Sequence, residues 1–314
     1  MKKLIAEVNR TRRLGCEFEM TIPLVGPENG TGRDVQTTLA NILSANSIPA
    51  ASRGYTAKAV PEGIDIAVEY DGSIRGESRY HGIKWFPLEV KTRILNGIDE
   101  WEQIVPKTIE VCSYMGARLN ASTGFHIHME MMEALERPTV IRSLFNLFHR
   151  FEPVIYGLVA PSRSNNHYAR AMPPEKAKFL HACRSTDTLC RQIPQLHCKN
   201  GLNLSHICSG RHLSSNPRVE FRYHHGTLSP IKARHWTRFC LAMVEHAVTR
   251  NCQSSSQVEN SRRGLERLLV SCGFKVNNQI YGKVSPELRE TGKWLIQRWR
   301  HFNGNIPLRP CKKS

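Results

Sequence analysis

Two histidines separated by one apolar residue are the first feature of this sequence that could do chemistry. The stretch Gly124-Phe125-His126-Ile127-His128 alternates apolar and polar side chains, and alternate side chains of a β-strand project from the same face. His126 and His128 would therefore project together while Phe125 and Ile127 pack on the opposite face. Two imidazoles on one face suit a metal ion or a phosphate group. A strand with two solvated histidines is the alternative.

Two further stretches place charged side chains on one face in the same way. Glu17 and Glu19 are separated by one apolar residue, and so are Glu220 and Arg222. Two carboxylates side by side on a strand repel each other, which is easier to explain if a cation lies between them. A Glu and an Arg at this spacing can form a surface ion pair of little energetic value. They can also combine a metal ligand with a phosphate-binding fork.

The predicted elements that would position these strands do not alternate regularly. Strands are predicted at residues 4–25, 64–70, 83–93, 124–129, 201–205 and 218–227. Helices are predicted at 34–45, 99–115, 138–158, 230–249, 259–272 and 286–302, with helix and turn at 172–200. We expect Asp34 to cap the first helix, residues 49–63 to be irregular and 83–93 to lie at a sheet edge. This order predicts an α+β fold with a curved, largely antiparallel sheet and helices packed on one face.

The charge is distributed unevenly along the chain. Residues 1–153 contain 18 Lys and Arg and 19 Asp and Glu, a net charge of −1, whereas residues 154–314 contain 26 and 8, a net charge of +18. Such a basic half would attract a polyanion. A nucleotide, a nucleic acid or an acidic protein would fit as the partner of this half, and a solvated basic surface is the alternative.

Composition and the start of the sequence indicate the compartment. Hydrophobic residues make up 40% and charged residues 23% of the chain, values typical of a globular protein. The opening residues contain no long apolar segment of a signal peptide, and no apolar run reaches the ~20 residues that span a bilayer. The ten cysteines form no CxxC pair and are expected to be buried thiols. We expect a cytoplasmic protein without membrane contact.

Further short motifs occur in a fixed order with the three strands. They are Asp71-Gly72-Ser73, Leu88-Glu89-Val90, Arg163 to Tyr168, Leu202-Asn203-Leu204 and Gly226-Thr227. Over about residues 14–250 the set resembles the amidoligase family of glutamine-synthetase-like carboxylate–amine ligases. The resemblance implies a glutamine-synthetase-like catalytic fold in residues 1–252. The helices predicted in 258–314 lie outside the resemblance, and we expect them to form a C-terminal extension packed on that fold. It also implies ATP as a cofactor and amide or peptide bond formation through an acyl phosphate.

The resemblance further implies a metal site. Two Mg²⁺ or Mn²⁺ ions would be held by Glu17, Glu19, Glu89, His126 and Glu220. The position of Lys91 departs from the family, in which a small residue is common.

Other residues would then bind nucleotide or substrate. His128 would contact an ATP phosphate, and Arg222, catalytic together with Glu220, would steady the transferring phosphoryl group. Arg163 and Tyr168 would face the nucleotide or the substrate. Asp71 and Ser73 would also be catalytic, and they would shape the amine side of the site. The substrates would be a small-molecule or peptide carboxylate and an amine.

Two hypotheses from other functional classes are compatible with the same residues. A metal-dependent hydrolase could use His126, His128 and Glu220 to activate water without ATP. A nucleic-acid-binding protein could use the basic half, with the acidic strands purely structural; its affinity would fall steeply with salt.

Overall fold

The protein is described from a computed structural model that covers residues 8–24, 31–54, 60–76, 83–164, 166–196, 198–253, 255–274 and 284–304. The chain divides into two compact units. The first unit comprises Arg10–Met129 and His224–Arg234, and the second contains Glu130–Tyr223 and the described residues from His235 onward. The predicted boundary between 252 and 258 stays a prediction.

In the described part of Arg10–Met129, the first unit forms five strands and two helices. Their order along the chain is β1 Leu14–Pro23, α1 Gly32–Ala45, β2 Ala50–Arg53, β3 Ile66–Tyr70, β4 Trp85–Thr92, α2 Ile98–Tyr114 and β5 Gly124–Glu130. Within this unit the strands lie in the order β2-β3-β4-β1-β5. The pairs β3–β4, β4–β1 and β1–β5 are antiparallel, and only β2–β3 is parallel. The prediction of a mixed fold with a mostly antiparallel sheet is therefore confirmed, whereas its curvature stays a prediction.

Four local predictions in this unit were wrong. The strand predicted at 4–25 begins at Leu14, and the described residues before it, 8–13, are not in a strand. The 83–93 segment was expected at a sheet edge, but β4 pairs with β1 on one side and with β3 on the other. Residues 49–63 were expected to be irregular, but β2 forms there through pairing with the distant β3. The N-cap of α1 is Thr31 rather than Asp34, and the two side chains form a reciprocal capping box.

One face of the first unit's strands is apolar and carries the helices. Phe18 of β1 stacks on Phe125 of β5 with ring centroids 4.7 Å apart, and both are buried. From α2, the indole N–H of Trp101 donates to the Sγ of Cys16 at 3.1 Å. Because successive side chains of a strand alternate between faces, the opposite face receives the charged residues that flank Phe18.

The second unit is mainly helical. Its elements are α3 Glu133–Glu136, α4 Thr139–Tyr156, α5 Pro161–Ser164, α6 Pro174–Ala182, α7 Thr186–Gln192, a 3₁₀ turn Ile193–Gln195, β6 Leu202–Asn203, β7 Cys208–Ser209, β8 His212–Leu213, β9 Arg218–His225, α8 Pro230–Thr249, α9 Arg262–Ser271 and α10 Pro286–Asn303. The end of β9 and the start of α8 belong to the first unit. The helices predicted at 138–158, 230–249, 259–272 and 286–302 are confirmed as α4, α8, α9 and α10. Among the helices described, none combines the length and apolarity needed to cross a membrane.

The core of the second unit forms where α4 packs on β9. The ring of Phe148 stacks on Phe221 at 5.0 Å, and both are buried. Packing Phe221 against the helix directs its neighbours Glu220 and Arg222 to the other face of the strand. The last helix is tied to the same unit, since Arg298 of α10 donates to the carbonyl of Leu158 at 2.5 Å.

Candidate functional site

Strand register in the first unit brings four glutamates onto one face, which we call the acidic face (Glu17, Glu19, Glu69 and Glu89). Glu19 lies opposite Glu89, and Glu89 lies opposite Glu69 on the next strand. Glu19, Glu69 and Glu89 are buried, with 2–7% of their surface exposed. Four carboxylates this close, three of them almost dry, need cations or hydrogen-bond donors nearby.

Two histidines of β5 supply part of that compensation. The Nδ1 of His126 lies 3.2 Å from Glu17 Oε2, and its Nε2 lies 3.4 Å from Glu19 Oε1. The Nε2 of His128 lies 3.1 Å from Glu17 Oε1. Glu19 also accepts a hydrogen bond of 2.5 Å from the backbone N–H of Gly124. The structure thus brings together the two carboxylates of β1 and both histidines of the predicted site.

Burial and the neighbouring groups shift the pKa values of Glu17 and Glu89 in opposite directions. Burial alone would raise the pKa of Glu17, but the charges and hydrogen bonds of His128 and His126 outweigh it and hold that pKa well below its usual range. Burial raises the pKa of Glu89 well above its usual range, and the charge of Glu17 adds to this rise. Without a bound metal ion, Glu89 therefore keeps its proton to a higher pH than Glu17 does.

A metal ion would fit one subset of this face. Glu19, Glu89 and His126 each offer a ligand atom, and these atoms lie within 4.8 Å of one another. Two carboxylate oxygens and one imidazole nitrogen suit Mg²⁺ or Mn²⁺. A proton on His126 Nδ1, donated to Glu17, would leave the Nε2 lone pair directed to the side of Glu19. In that arrangement Glu17 would orient the imidazole of His126 for a metal ion.

Asp71 and Ser73 lie immediately after β3, in the first unit. Asp71 is buried, and its Oδ1 accepts a hydrogen bond of 2.7 Å from the backbone N–H of Ser73. This is a side-chain-stabilised turn of the kind that aspartate favours. Asp71 follows Glu69 by two residues and lies just past the end of β3.

Lys91 lies beside Glu69 and Glu89 of the acidic face. Neither Lys91 nor Glu69 was assigned a role from the sequence. The Nζ of Lys91 lies 2.6 Å from Glu89 Oε2 and 3.1 Å from Glu69 Oε2. Burial alone would lower the pKa of Lys91, but the carboxylates of Glu89 and Glu17 outweigh burial and raise it above its ordinary value. The sequence signal that could have identified Glu69 as a site residue is its spacing of two residues from Asp71. Its pairing with Lys91 depends on the register between two strands.

In the second unit, Glu220 and Arg222 form an ion pair on β9. Glu220 Oε2 also accepts a 2.6 Å hydrogen bond from Asn203 Nδ2 and lies 3.9 Å from His206 Nε2. The Nε of Arg222 donates to the carbonyl of Tyr168 at 3.1 Å. The guanidinium is therefore held on two sides. The predicted catalytic site did not include Asn203 or His206, although the motif around Asn203 contributed to the resemblance.

Arg163 and Tyr168 support the strand that carries Arg222. Arg163 is completely buried, and its Nη2 donates to the backbone carbonyl of Arg222 at 2.6 Å. The ring of Tyr168 lies 4.2 Å from the Nζ of Lys199. The predicted set is thus divided between the units. The first brings together Glu17, Glu19, Glu89, His126 and His128, and the second brings together Glu220, Arg222, Arg163 and Tyr168.

The family comparison decides the class of protein. The family model described as "Putative amidoligase enzyme" matches residues 10–244, which is about three quarters of the chain. The chain belongs to this family. The resemblance on which the sequence analysis relied is confirmed, and each strand of the acidic face and of the Glu220–Arg222 pair lies within the matched region.

Comparisons with individual proteins add little. None of the curated proteins matches the chain. Among solved structures, a chain in the "Crystal structure of the complex between Prokaryotic Ubiquitin-like Protein Pup and its Ligase PafA" is similar, with a TM-score of 0.42 and 8% sequence identity over 96% of this chain and 65% of that chain. This protein therefore spans less than two thirds of the length of that one. A TM-score of this size supports neither a shared fold nor a shared activity.

Proposed function

We propose that this amidoligase is an ATP-dependent carboxylate–amine ligase that forms an amide or peptide-type bond through an acyl phosphate. The observation that carries the proposal is the convergence of Glu19, Glu89 and His126 within 4.8 Å on a buried, acidic face, inside the region matched by the family. The basic half of the chain is not assigned to nucleic acid, because the comparisons give no support to that contact.

The proposed reaction has two steps. A carboxylate oxygen of the substrate attacks the γ-phosphorus of ATP, the bond to the bridging oxygen breaks, and ADP leaves with an acyl phosphate formed. The amine nitrogen of the second substrate then attacks the acyl carbon, inorganic phosphate leaves, and the nitrogen loses a proton. The first step needs neutralisation of phosphate charge, and the second needs an amine held neutral and aligned.

The proposed metal ligands come from the first unit. Glu19, Glu89 and His126 would hold Mg²⁺ or Mn²⁺, and the ion would neutralise charge on phosphate oxygens. Glu17 would fix the orientation of His126 through the contact at Nδ1. His128, held by the other oxygen of Glu17, would contact an ATP phosphate. We propose separate roles because both histidines contact Glu17, while His126 also lies beside Glu19, a proposed metal ligand.

In the second unit, Arg222 would stabilise the transferring phosphoryl group. Its guanidinium is held by Glu220 and by the carbonyl of Tyr168, so little reorganisation accompanies charge development. We propose that Arg163 positions Arg222 by a hydrogen bond that fixes its backbone. Glu220, held by Asn203, would contribute a further metal-binding carboxylate.

The amine side of the reaction is proposed to lie at the turn after β3. Asp71 would attract the ammonium form of the acceptor and take up its proton, with the backbone of Ser73 holding the carboxylate in place. The substrates would be a small-molecule or peptide carboxylate and an amine. Residues 1–252 would form the catalytic part, and the helices in 258–314 would form an extension.

The test is ADP release by the purified full chain with ATP, Mg²⁺ and a panel of carboxylates and amines. We expect release that needs a carboxylate and the metal. Glu19→Gln should abolish it, because one of three ligand groups loses its charge. Glu110→Gln, which changes an exposed glutamate on α2, is the matched control and should be as active as wild type. Full activity of Glu19→Gln, or activity that survives EDTA, would overturn the proposal.

A further inference from the structure

Lys91 places a fixed positive charge on the acidic face. We infer that its ammonium takes the place of a divalent ion between Glu69 and Glu89, so that this part of the face binds no metal in the wild-type protein. The inference rests on the metal-binding part of the proposed function. It differs from the arrangement implied by the resemblance to the family, in which two ions are held by the chain and position 91 is small.

The contacts of Lys91 resemble those of a bound cation. Its Nζ lies within 2.6 Å and 3.1 Å of carboxylate oxygens from two different strands. On β4, Lys91 lies opposite Glu17 of β1 and opposite Ala67 of β3. The small side chain of Ala67 leaves the space beside β3 to the lysine and to Glu69, so that the ammonium can bridge the two glutamates.

Burial explains why this pair needs a cation. The side chains of Glu69 and Glu89 are 3% and 9% exposed, whereas that of Lys91 is 29% exposed. Two charged carboxylates in such a dry place are strongly unfavourable unless a positive charge pairs with them. An ammonium has three donors and needs no ion from solution. A divalent ion entering the same place would be repelled by the lysine at close range.

Glu89 is shared between the lysine and the metal ligands. Its Oε2 pairs with Lys91, and a carboxylate has a second oxygen that can bind an ion together with Glu19 and His126. The lysine would thus hold Glu89 aligned for the neighbouring metal. Lys91 is in this sense a positioning residue, and its removal should change the number of ions on the face.

The experiment counts Mn²⁺ bound per chain, by electron paramagnetic resonance of the free ion and by calorimetry, after removal of metal with EDTA. In Lys91→Met the two glutamates lose their cation, and we expect this variant to bind one Mn²⁺ more than wild type. Lys91→Arg keeps the charge and should bind the wild-type number. Lys84→Met is the matched control, because the ammonium of Lys84 lies over the ring of Phe86 at 4.6 Å; it should also bind the wild-type number.

A double variant locates the additional ion. Lys91→Met combined with Glu69→Gln should return to the wild-type Mn²⁺ number, because Glu69 is needed to hold the ion that replaces the lysine. An unchanged number in Lys91→Met, or an additional ion that persists in the double variant, would overturn the inference. If Lys91→Met does not fold, Glu69→Gln in the wild-type background gives the answer: its Mn²⁺ number should be unchanged, and a loss of one ion would overturn the inference.

Metal counting separates this inference from the proposed function. A wild-type protein that hydrolyses no ATP with any acid and amine, while its variants follow the expected Mn²⁺ numbers, would reject the ligase and retain the role of Lys91. A wild-type protein that ligates, while Lys91→Met binds the same number of ions as wild type, would reject only the role of Lys91.

Discussion

Glu152 should make the stability of the protein depend on pH near neutrality. It lies on α4 with 3% of its surface exposed. The hydroxyl of Tyr223 donates to its Oε1 at 3.0 Å, and the backbone N–H of Met172 donates at 3.2 Å to Oε2. Burial raises the pKa of Glu152 from its ordinary value of 4.5 to about 7, against the two hydrogen bonds, which lower it.

The direction of the effect follows from the protons bound in each state. Between pH 4.5 and 7 the unfolded chain has lost the proton of Glu152 while the folded protein retains it. The folded state then binds more protons, so the free energy of unfolding falls as the pH rises through this window. Below pH 4.5 both states are protonated and the effect is absent. At about 1.4 kcal/mol per pKa unit, the difference between 4.5 and 7 corresponds to a loss of about 3 kcal/mol above pH 7.

The perturbation that tests this is Glu152→Gln, which keeps the shape and removes the ionisation. Urea unfolding of wild type and variant from pH 4 to pH 8.5 should show the variant gaining about 3 kcal/mol relative to wild type, mostly between pH 4.5 and 7. Glu136→Gln, at an exposed position on α3, should show no such trend. A difference between wild type and Glu152→Gln that stays constant with pH would refute the reasoning.

Three further predictions concern the first unit. His126→Ala should lower Mn²⁺ affinity and be partly rescued by added Mn²⁺, whereas His128→Ala should raise the KM for ATP and not be rescued; identical defects in ADP formation would count against separate roles. Glu17→Gln should weaken Mn²⁺ binding about 10- to 100-fold in calorimetry, because the orienting partner of His126 loses its charge, and unchanged affinity would show that this contact has no such role. Gly97→Ala should lower the free energy of unfolding by about 3 kcal/mol or more, since its φ is +98° and an added Cβ would meet the carbonyl oxygen of Arg10 at 1.8 Å; denaturant unfolding with wild-type stability would contradict the clash.

Local patterns were sufficient for the elements and for the faces of single strands. The alternation around Glu17, Glu19 and the histidines of β5 predicted which side chains share a face, and the Ser-Pro start at 229–230 predicted α8. Each of these patterns involves only a few neighbouring residues, so a single sequence is enough to detect it. The family resemblance, carried by the same motifs, is confirmed by the match to residues 10–244.

What could not be predicted depends on register between distant segments. The parallel pairing that forms β2, and the meeting of Lys91 with Glu69, join strands whose relative positions are set by the whole sheet. The burial of Arg163 against the backbone of Arg222 likewise depends on how α5 packs on β9. The roles assigned to the site residues stay predictions until the variants are measured.

The central claim is that a carboxylate is activated by phosphorylation, and hydroxylamine tests it most directly. Hydroxylamine traps an acyl phosphate as a hydroxamate, so the natural amine need not be known. The purified chain is incubated with ATP, Mg²⁺, hydroxylamine and a panel of amino acids, dicarboxylates and peptides, and hydroxamate and ADP are both measured. The ligase account predicts hydroxamate formed in step with ADP for at least one carboxylate, and lost in EDTA and in Glu19→Gln. Hydrolysis of an ester or amide without ATP, or ADP release with no hydroxamate for any carboxylate, would contradict it.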